Sequence, residues 1–286
     1  MIRKELLEGF PVRCYKYRTG QAALDSLARN ELYFASPAEL NDILEGQFEN
    51  ASITEYAEVF NDTFYELLLS KGQRVNKADL SQIVKSVAIQ PHQKEELDFR
   101  KYSKRLGILS TAQRPDHQAM WAYYCGNSCG VCFGLEWSLE TAISNQLMRR
   151  DVVYTEDSRL HNRGEDFRYF ALKVAEENPA LTPQEVFKHI LREEILLNVM
   201  IRAATRAVAI KHSDWKHESE IRLLSPHAGP LPLLREVLKE VIFARTDFEE
   251  YEGIVQLLSD EYPEVALRKL TFSHAAPYAL IENFVK

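Results

Sequence analysis

The chain has 286 residues, a length that fits one large domain or two modest ones. Hydrophobic residues make up 45% and charged residues 27%, which excludes collagen-like, low-complexity and strongly disordered classes. Lys and Arg number 35 against 42 Asp and Glu, a net charge of −7 that argues against a globally basic nucleic-acid binder and leaves a local basic groove open.

Charges interrupt the N-terminal stretch within its first five residues and no signal-peptide-length apolar run follows, so a cytoplasmic address is expected. Arg13–Arg18 reads as a first strand, Ala22–Arg29 as a short helix and Glu31–Ala35 as a second strand. Ser36–Pro37 then opens a turn of helix, closed by Asn41 and Asp42. Residues 52–105 are polar and helix-rich, with Phe60, Phe64, Leu67 and Leu68 on one amphipathic face and a further helix beginning over Asp79–Val87. Leu106–Ser110 is a strand, His117–Tyr124 a short helix, and Gly130–Trp137 and Asp151–Thr155 are strands. Helical periodicity runs from Phe167 to Val174 and again, as one long helix, over Thr182–Ala209, with Thr182 as its N-cap. Its greasiest stretch, Ile195–Met200, is too short to cross a bilayer. Glu218–Leu224 returns to strand, Val237–Ala244 carries mixed signals, Glu249–Ser259 is a helix and Ala266–Thr271 a last strand.

The order is strands, helical insert, strands, helices, strands, without sustained βαβ alternation or a glycine-rich phosphate loop. It predicts a single α+β domain with a mixed or antiparallel sheet flanked by helices and a helical insertion near 52–105. Cys125, Cys129 and Cys132 cluster, but Cys132 lies in a strand-like run and no second pair follows, so buried free thiols are favoured over zinc and no metal is expected.

The sharpest constellation is Trp215-x-x-Glu218-x-Glu220-x-Arg222. In a strand Glu218, Glu220 and Arg222 share one side while Ser219, Ile221 and Leu223 share the other, which reads as the core side. Two neighbouring carboxylates beside an arginine suit acid–base work, cation stabilisation or hydroxyl binding; a solvent-facing ion pair is the alternative. On the first strand Tyr15 and Tyr17 alternate with Lys16 and Arg18, aromatic and cationic groups that suit a nucleotide. Met120, Trp121 and Tyr124 are at helical spacing, read first as core and second as a pocket lining.

In this order the segments resemble the mostly bacterial family catalogued as domain of unknown function 2971. The resemblance runs over about residues 13–245 through Tyr15-Lys16-Tyr17, Leu32–Phe34, Ser36-Pro37, Asn41-Asp42, Ser110, Met120-Trp121-x-x-Tyr124, Gly130–Cys132, Val153-Tyr154 and the Trp215 to Arg222 motif. Leu40-Asn41-Asp42-Ile43 stands where the family has Phe-Asn-Asp-Pro. A second resemblance is to the Arg–Ser–Glu layout of ADP-ribosyltransferases. It implies NAD as co-substrate, Arg18 on its phosphates or ribose, Ser110 shaping the nicotinamide pocket, Glu220 stabilising the ribosyl cation and Glu218 orienting the acceptor.

Three functions follow as expectations. The first is an ADP-ribosyltransferase-like or NAD-cleaving enzyme of a defence or toxin system, with Glu220 and Glu218 catalytic and Tyr17, Arg18, Ser110, Trp121, Arg222, Asn41 and Asp42 binding. The second is a non-enzymatic nucleotide or nucleic-acid binding module using Lys16, Arg18, Lys101, Lys104 and Arg105. The third is a nuclease with Mg²⁺ held by Glu218, Glu220 and Asp42.

Overall fold

The computed structural model describes residues 7–42, 49–50, 53–73, 76, 100–156, 160–161, 164–190, 192–272 and 279–283. In chain order the elements are β1 (Val12–Thr19), α1 (Gly20–Arg29), β2 (Glu31–Phe34), β3 (Glu49–Asn50), α2 (Ile53–Ser70), α3 (Arg100–Ser103), β4 (Gly107–Ala112), α4 (Gln118–Tyr124), β5 (Gly130–Trp137) and α5 (Leu139–Ser144). There follow β6 (Met148–Asp151), β7 (Val153–Thr155), β8 (Leu160–His161), α6 (Gly164–Glu177), α7 (Pro183–Ile190), α8 (Glu193–Ala207), β9 (Ile210–His212), β10 (Glu220–Ser225), β11 (Gly229–Pro232), β12 (Leu238–Phe243), α9 (Tyr251–Glu261), β13 (Ala266–Phe272) and β14 (Ala279–Asn283). This is the α+β class that the element order predicts. The helix expected over Asp79–Val87 lies outside the described residues. No helix among them is long and apolar enough to cross a membrane.

The elements gather into two compact units. The first comprises Met1–Leu40, Arg105–Tyr154 and Lys211–Lys286. Its frame is an eight-stranded sheet in the order β14-β13-β12-β5-β1-β4-β10-β6, in which only β12 and β13 run parallel. Alternation along each strand separates two faces. One carries Val12, Cys14, Leu109, Phe133, Ile221, Leu223 and Val241 into the larger core, which α1 and α9 join through Leu27 and Ile254. The other carries Tyr17, Ala112, Cys132 and Ile242, which pack with Met120 and Trp121 of α4.

Local chemistry sets the boundaries. Thr19 caps α1 by accepting from the Ala22 N–H, and Asn30 ends it in the left-handed region at φ 54°. Ser36 donates through its backbone N–H and its hydroxyl to Glu39, both at 2.7 Å, closing the expected turn as a 3-10 helix over Pro37–Glu39. The single strand expected over Asp151–Thr155 is two strands, broken at buried Val152, whose N–H donates to the Glu220 carbonyl.

The second unit comprises Asn41–Lys104 and Thr155–Ile210. Its core joins Phe64 of α2 to Phe187 of α7, ring centroids 5.1 Å apart, and Phe187 to Phe167 of α6 at 5.5 Å. Thr182 and Glu185 form a reciprocal capping box at the start of α7. The long helix expected over Thr182–Ala209 is two helices, because Arg192 is extended (ψ 140°) at the start of α8.

Candidate functional site

Strand β10 begins at Glu220, two residues later than the sequence suggests. Ser213–Glu218 is a 3-10 helix, and Ser219 turns through the left-handed region at φ 45° before the strand starts. Glu218 therefore does not share a strand with Glu220 and Arg222. It reaches the same place from the helical turn, and all three side chains are buried, at 3%, 4% and 1% exposure. The solvent-facing ion pair is thereby excluded.

Lys211 on β9 joins them as the fourth buried charge. Its Nζ is 2.6 Å from Glu218 Oε2 and 3.5 Å from Glu220 Oε2. Arg222 takes Glu220 in a fork, Nε to Oε1 at 2.8 Å and Nη2 to Oε2 at 3.0 Å. The Tyr124 hydroxyl donates to Glu218 Oε1, and the Glu220 backbone N–H donates to the Tyr154 hydroxyl at 2.9 Å. Two carboxylates thus face two cations, which is how charges survive out of water. Burial alone would raise the Glu220 pKa, but Arg222, Lys211 and Ser110 outweigh it and hold the acid at about 2.

An aromatic ledge adjoins the network. Lys211 Nζ lies 4.6 Å from the centre of the Trp215 ring, a cation–π contact. Trp215 stacks with His217 at a centroid distance of 6.2 Å and an interplanar angle of 29°. His217 also meets Tyr123 at 6.2 Å and His117 at 6.1 Å. Tyr123 is 68% exposed, so the ledge opens to solvent at that ring.

The other expected site residues divide. Tyr17 packs edge-on against Trp121 at 5.4 Å, and its hydroxyl donates to the Arg114 carbonyl at 2.8 Å. Both rings are buried core groups, with Trp121 Nε1 satisfied by the Pro115 carbonyl. Ser110 pairs with Arg222 across β4 and β10, and its carbonyl accepts from Lys16 Nζ at 2.8 Å. Register puts Tyr15, Ala112 and Glu220 side by side, so Tyr17, Ser110, Glu220 and Arg222 start from one face. Arg18 starts from the opposite face, where Nη1 donates to the Ala22 carbonyl at 3.4 Å and burial lowers its pKa to about 10. Asn41 is exposed, Asp42 is half-buried, and both belong to the second unit.

Burial of the Lys16 ammonium, with Arg18 nearby, pushes its pKa down to about 8 although part of the residue stays exposed. Cys14, Cys125 and Cys132 are buried free thiols and Cys129 is half-buried; burial raises the Cys125 thiol to about 12. Among the described residues no group of three or more His, Cys, Asp and Glu is arranged to hold a metal ion.

Sequence reasoning picked out Tyr154 only as part of the family pattern, with no role, and missed Lys211, Tyr123 and His217. Lys211 lies on β9 and Glu218 ends the 3-10 helix that follows, so no single strand or helix carries both residues. The only available signal was a lysine flanking Trp215 opposite the acid pair.

No curated protein and no solved structure matches the chain. Residues 120–223, which include Tyr124, Lys211, Glu218, Glu220 and Arg222, match the model of the family described as "Protein of unknown function (DUF2971)", the family that the order of the sequence motifs resembles.

Proposed function

We propose that the first unit binds a nucleotide-type small molecule on the ledge formed by Tyr123, His217 and Trp215. The observation that carries this reading is the continuity of that ledge with the buried network: Lys211 touches the Trp215 ring and Glu218 at once. A flat base gains about 1–3 kcal/mol by stacking on such rings. Glu218 is the acid next to the ledge, since it directly follows His217. Glu220 serves as the anchor: with both oxygens in the Arg222 fork, it fixes the turn from which Glu218 and His217 project.

Cleavage of NAD is the second reading, favoured by the permanent negative charge of Glu220 at a pKa of about 2. It ranks below binding for two reasons. The Glu220 charge is neutralised at contact distance by Arg222, and Arg18, the expected phosphate ligand, leaves the sheet on the other face. The nuclease reading has no support, because the acids it needs form no metal-binding group among the described residues.

Calorimetric titration of the chain with AMP, NAD and adenosine tests the reading. Binding is expected in the micromolar to millimolar range and weakened about tenfold by Tyr123→Ala, which removes an exposed ring and leaves the core intact. No heat with any of them, or full binding by the variant, refutes the site. Nicotinamide release from NAD that Glu218→Gln abolishes would promote the second reading.

A further inference from the structure

The second unit holds a charge cluster of its own, away from the strands that carry the ledge. Asp166 lies in the first turn of α6 and its side chain is fully buried, at 0% exposure. Two arginines one turn apart on α8 reach it, and both go to the same oxygen. Arg206 Nη1 donates to Asp166 Oδ1 at 2.8 Å, and Arg202 Nε stands 3.3 Å from that atom. The two guanidinium groups are therefore neighbours, drawn together at one atom from one face of one helix. The pair around Glu240 on the first unit's sheet differs, because there Arg13 and Arg268 take separate oxygens.

Arg202 is also fixed in orientation. Its guanidinium carbon is 3.8 Å from the centre of the Tyr169 ring, a cation–π contact. Tyr169 follows Asp166 by three residues, so adjacent positions on one face of α6 supply both supports. Among the described residues each arginine meets one carboxylate, and it is the same one. Two positive charges thus share one negative charge, and a surplus cation is held in place. Donors remain as well. A guanidinium has five N–H groups, of which Arg206 gives one to Asp166 while Arg202 directs only Nε at it. Of their nitrogens without a hydrogen-bond partner only Arg202 Nε is shielded, so the remaining ones are open to solvent. The side chains are 19% and 34% exposed.

We propose that Arg202 and Arg206 bind a phosphate group, free or as a monoester, on the solvent side of this cluster. The surplus positive charge attracts an anion. A tetrahedral phosphate offers each guanidinium its own oxygen, whereas a carboxylate has only two oxygens and one fork occupies both. Asp166 stays beneath as the strut that holds the two groups side by side, so little ordering is left for the ligand to impose. The site is built from α6 and α8 alone and does not depend on the nucleotide reading of the ledge.

The test is titration calorimetry of the full chain with inorganic phosphate, phenyl phosphate and acetate, at about pH 7.5 and about 0.1 M salt to screen long-range attraction. Both phosphates are expected to bind in about the millimolar range, and acetate about tenfold more weakly. Phenyl phosphate binding as well as phosphate or better identifies an ester as the ligand; weaker binding identifies the free anion. Arg206→Lys keeps a charge beside Asp166 but loses the fork, and is expected to weaken phosphate binding about tenfold. Should that variant unfold by circular dichroism, Arg202→Lys is the second one, with the same expected direction. Tyr123→Ala is expected to leave phosphate binding unchanged, which separates this site from the ledge. No phosphate binding, equal affinity for acetate, or full phosphate affinity in the folded arginine variants overturns the inference. Loss of phosphate binding in Tyr123→Ala overturns it too and moves the anion to the ledge. None of these results refutes the nucleotide reading.

Discussion

Glu220 and Arg222 show at the level of single residues how chemistry and stability share one group. Neither side chain can be removed alone without leaving the other charged and dry. Glu220→Gln is expected to cost about 3 kcal/mol at pH 7 in urea unfolding, because the buried guanidinium keeps only part of its partner. The double replacement Glu220→Leu, Arg222→Met is expected to recover most of that loss, since it removes both charges from the interior. A double variant no more stable than the single would show that the fork gives net stability. The Glu-x-Glu-x-Arg pattern was legible in the sequence, and so was the core role of Ile221 and Leu223. The geometry of Glu218 was not. It depends on Ser219 adopting φ 45°, and nothing in the local residue pattern distinguishes that from two more residues of strand. Burial was also invisible, because it requires Lys211 and Tyr124, which come from other elements.

At the scale of elements, the sheet uses an absent side chain to pass a charge across a strand. Glu240 on β12 is bracketed by Arg13 on β1 at 2.6 Å and Arg268 on β13 at 2.5 Å. Strand β5 lies between β12 and β1, and there Gly134 is the register partner of both Glu240 and Tyr15. A Cβ at Gly134 would stand 2.4 Å from Glu240 Cγ and 2.8 Å from its Oε1. Gly134→Ala should therefore push the carboxylate off Arg13 and destabilise the fold by about 1–3 kcal/mol. In a Glu240→Ala background the same change should cost much less, a coupling read directly from thermal unfolding of the four proteins. Equal costs in both backgrounds would place the strain elsewhere. Single strands and helices were read well from pattern, as β5 and α4 illustrate. The misreadings fell where an element breaks with no glycine or proline to announce it, at Val152 between β6 and β7 and at Arg192 before α8.

The whole molecule is assembled from segments distant in sequence. The first unit draws on three stretches and the second on two, so the α+β class could be read from element order while the grouping of stretches could not. The same long-range assembly gives the protein a characteristic response to pH. The Glu220 acid is held at about 2 against 4.5 for a free side chain. Between those values the unfolded chain binds the proton first, so the stability contributed by Glu220 is complete above pH 4.5 and lost as pH falls toward 2. Lys16 acts with the opposite geometry, its amine lowered to about 8 from 10.5. Above pH 8 the folded amine sheds its proton while the unfolded one keeps it, so this group adds stability as pH rises. The buried Cys14 and Cys125 thiols, raised to about 11 and 12, oppose it by favouring the unfolded thiolates from about pH 9. Wild-type melting alone would mix the two trends; the difference between the wild type and Lys16→Met separates them. That variant is expected to gain on the wild type at pH 7, and the gain should shrink steadily between pH 8 and 9.5. A difference that is flat across this interval would show that the Lys16 ammonium keeps its ordinary pKa and that its 2.8 Å contact with the Ser110 carbonyl repays the burial.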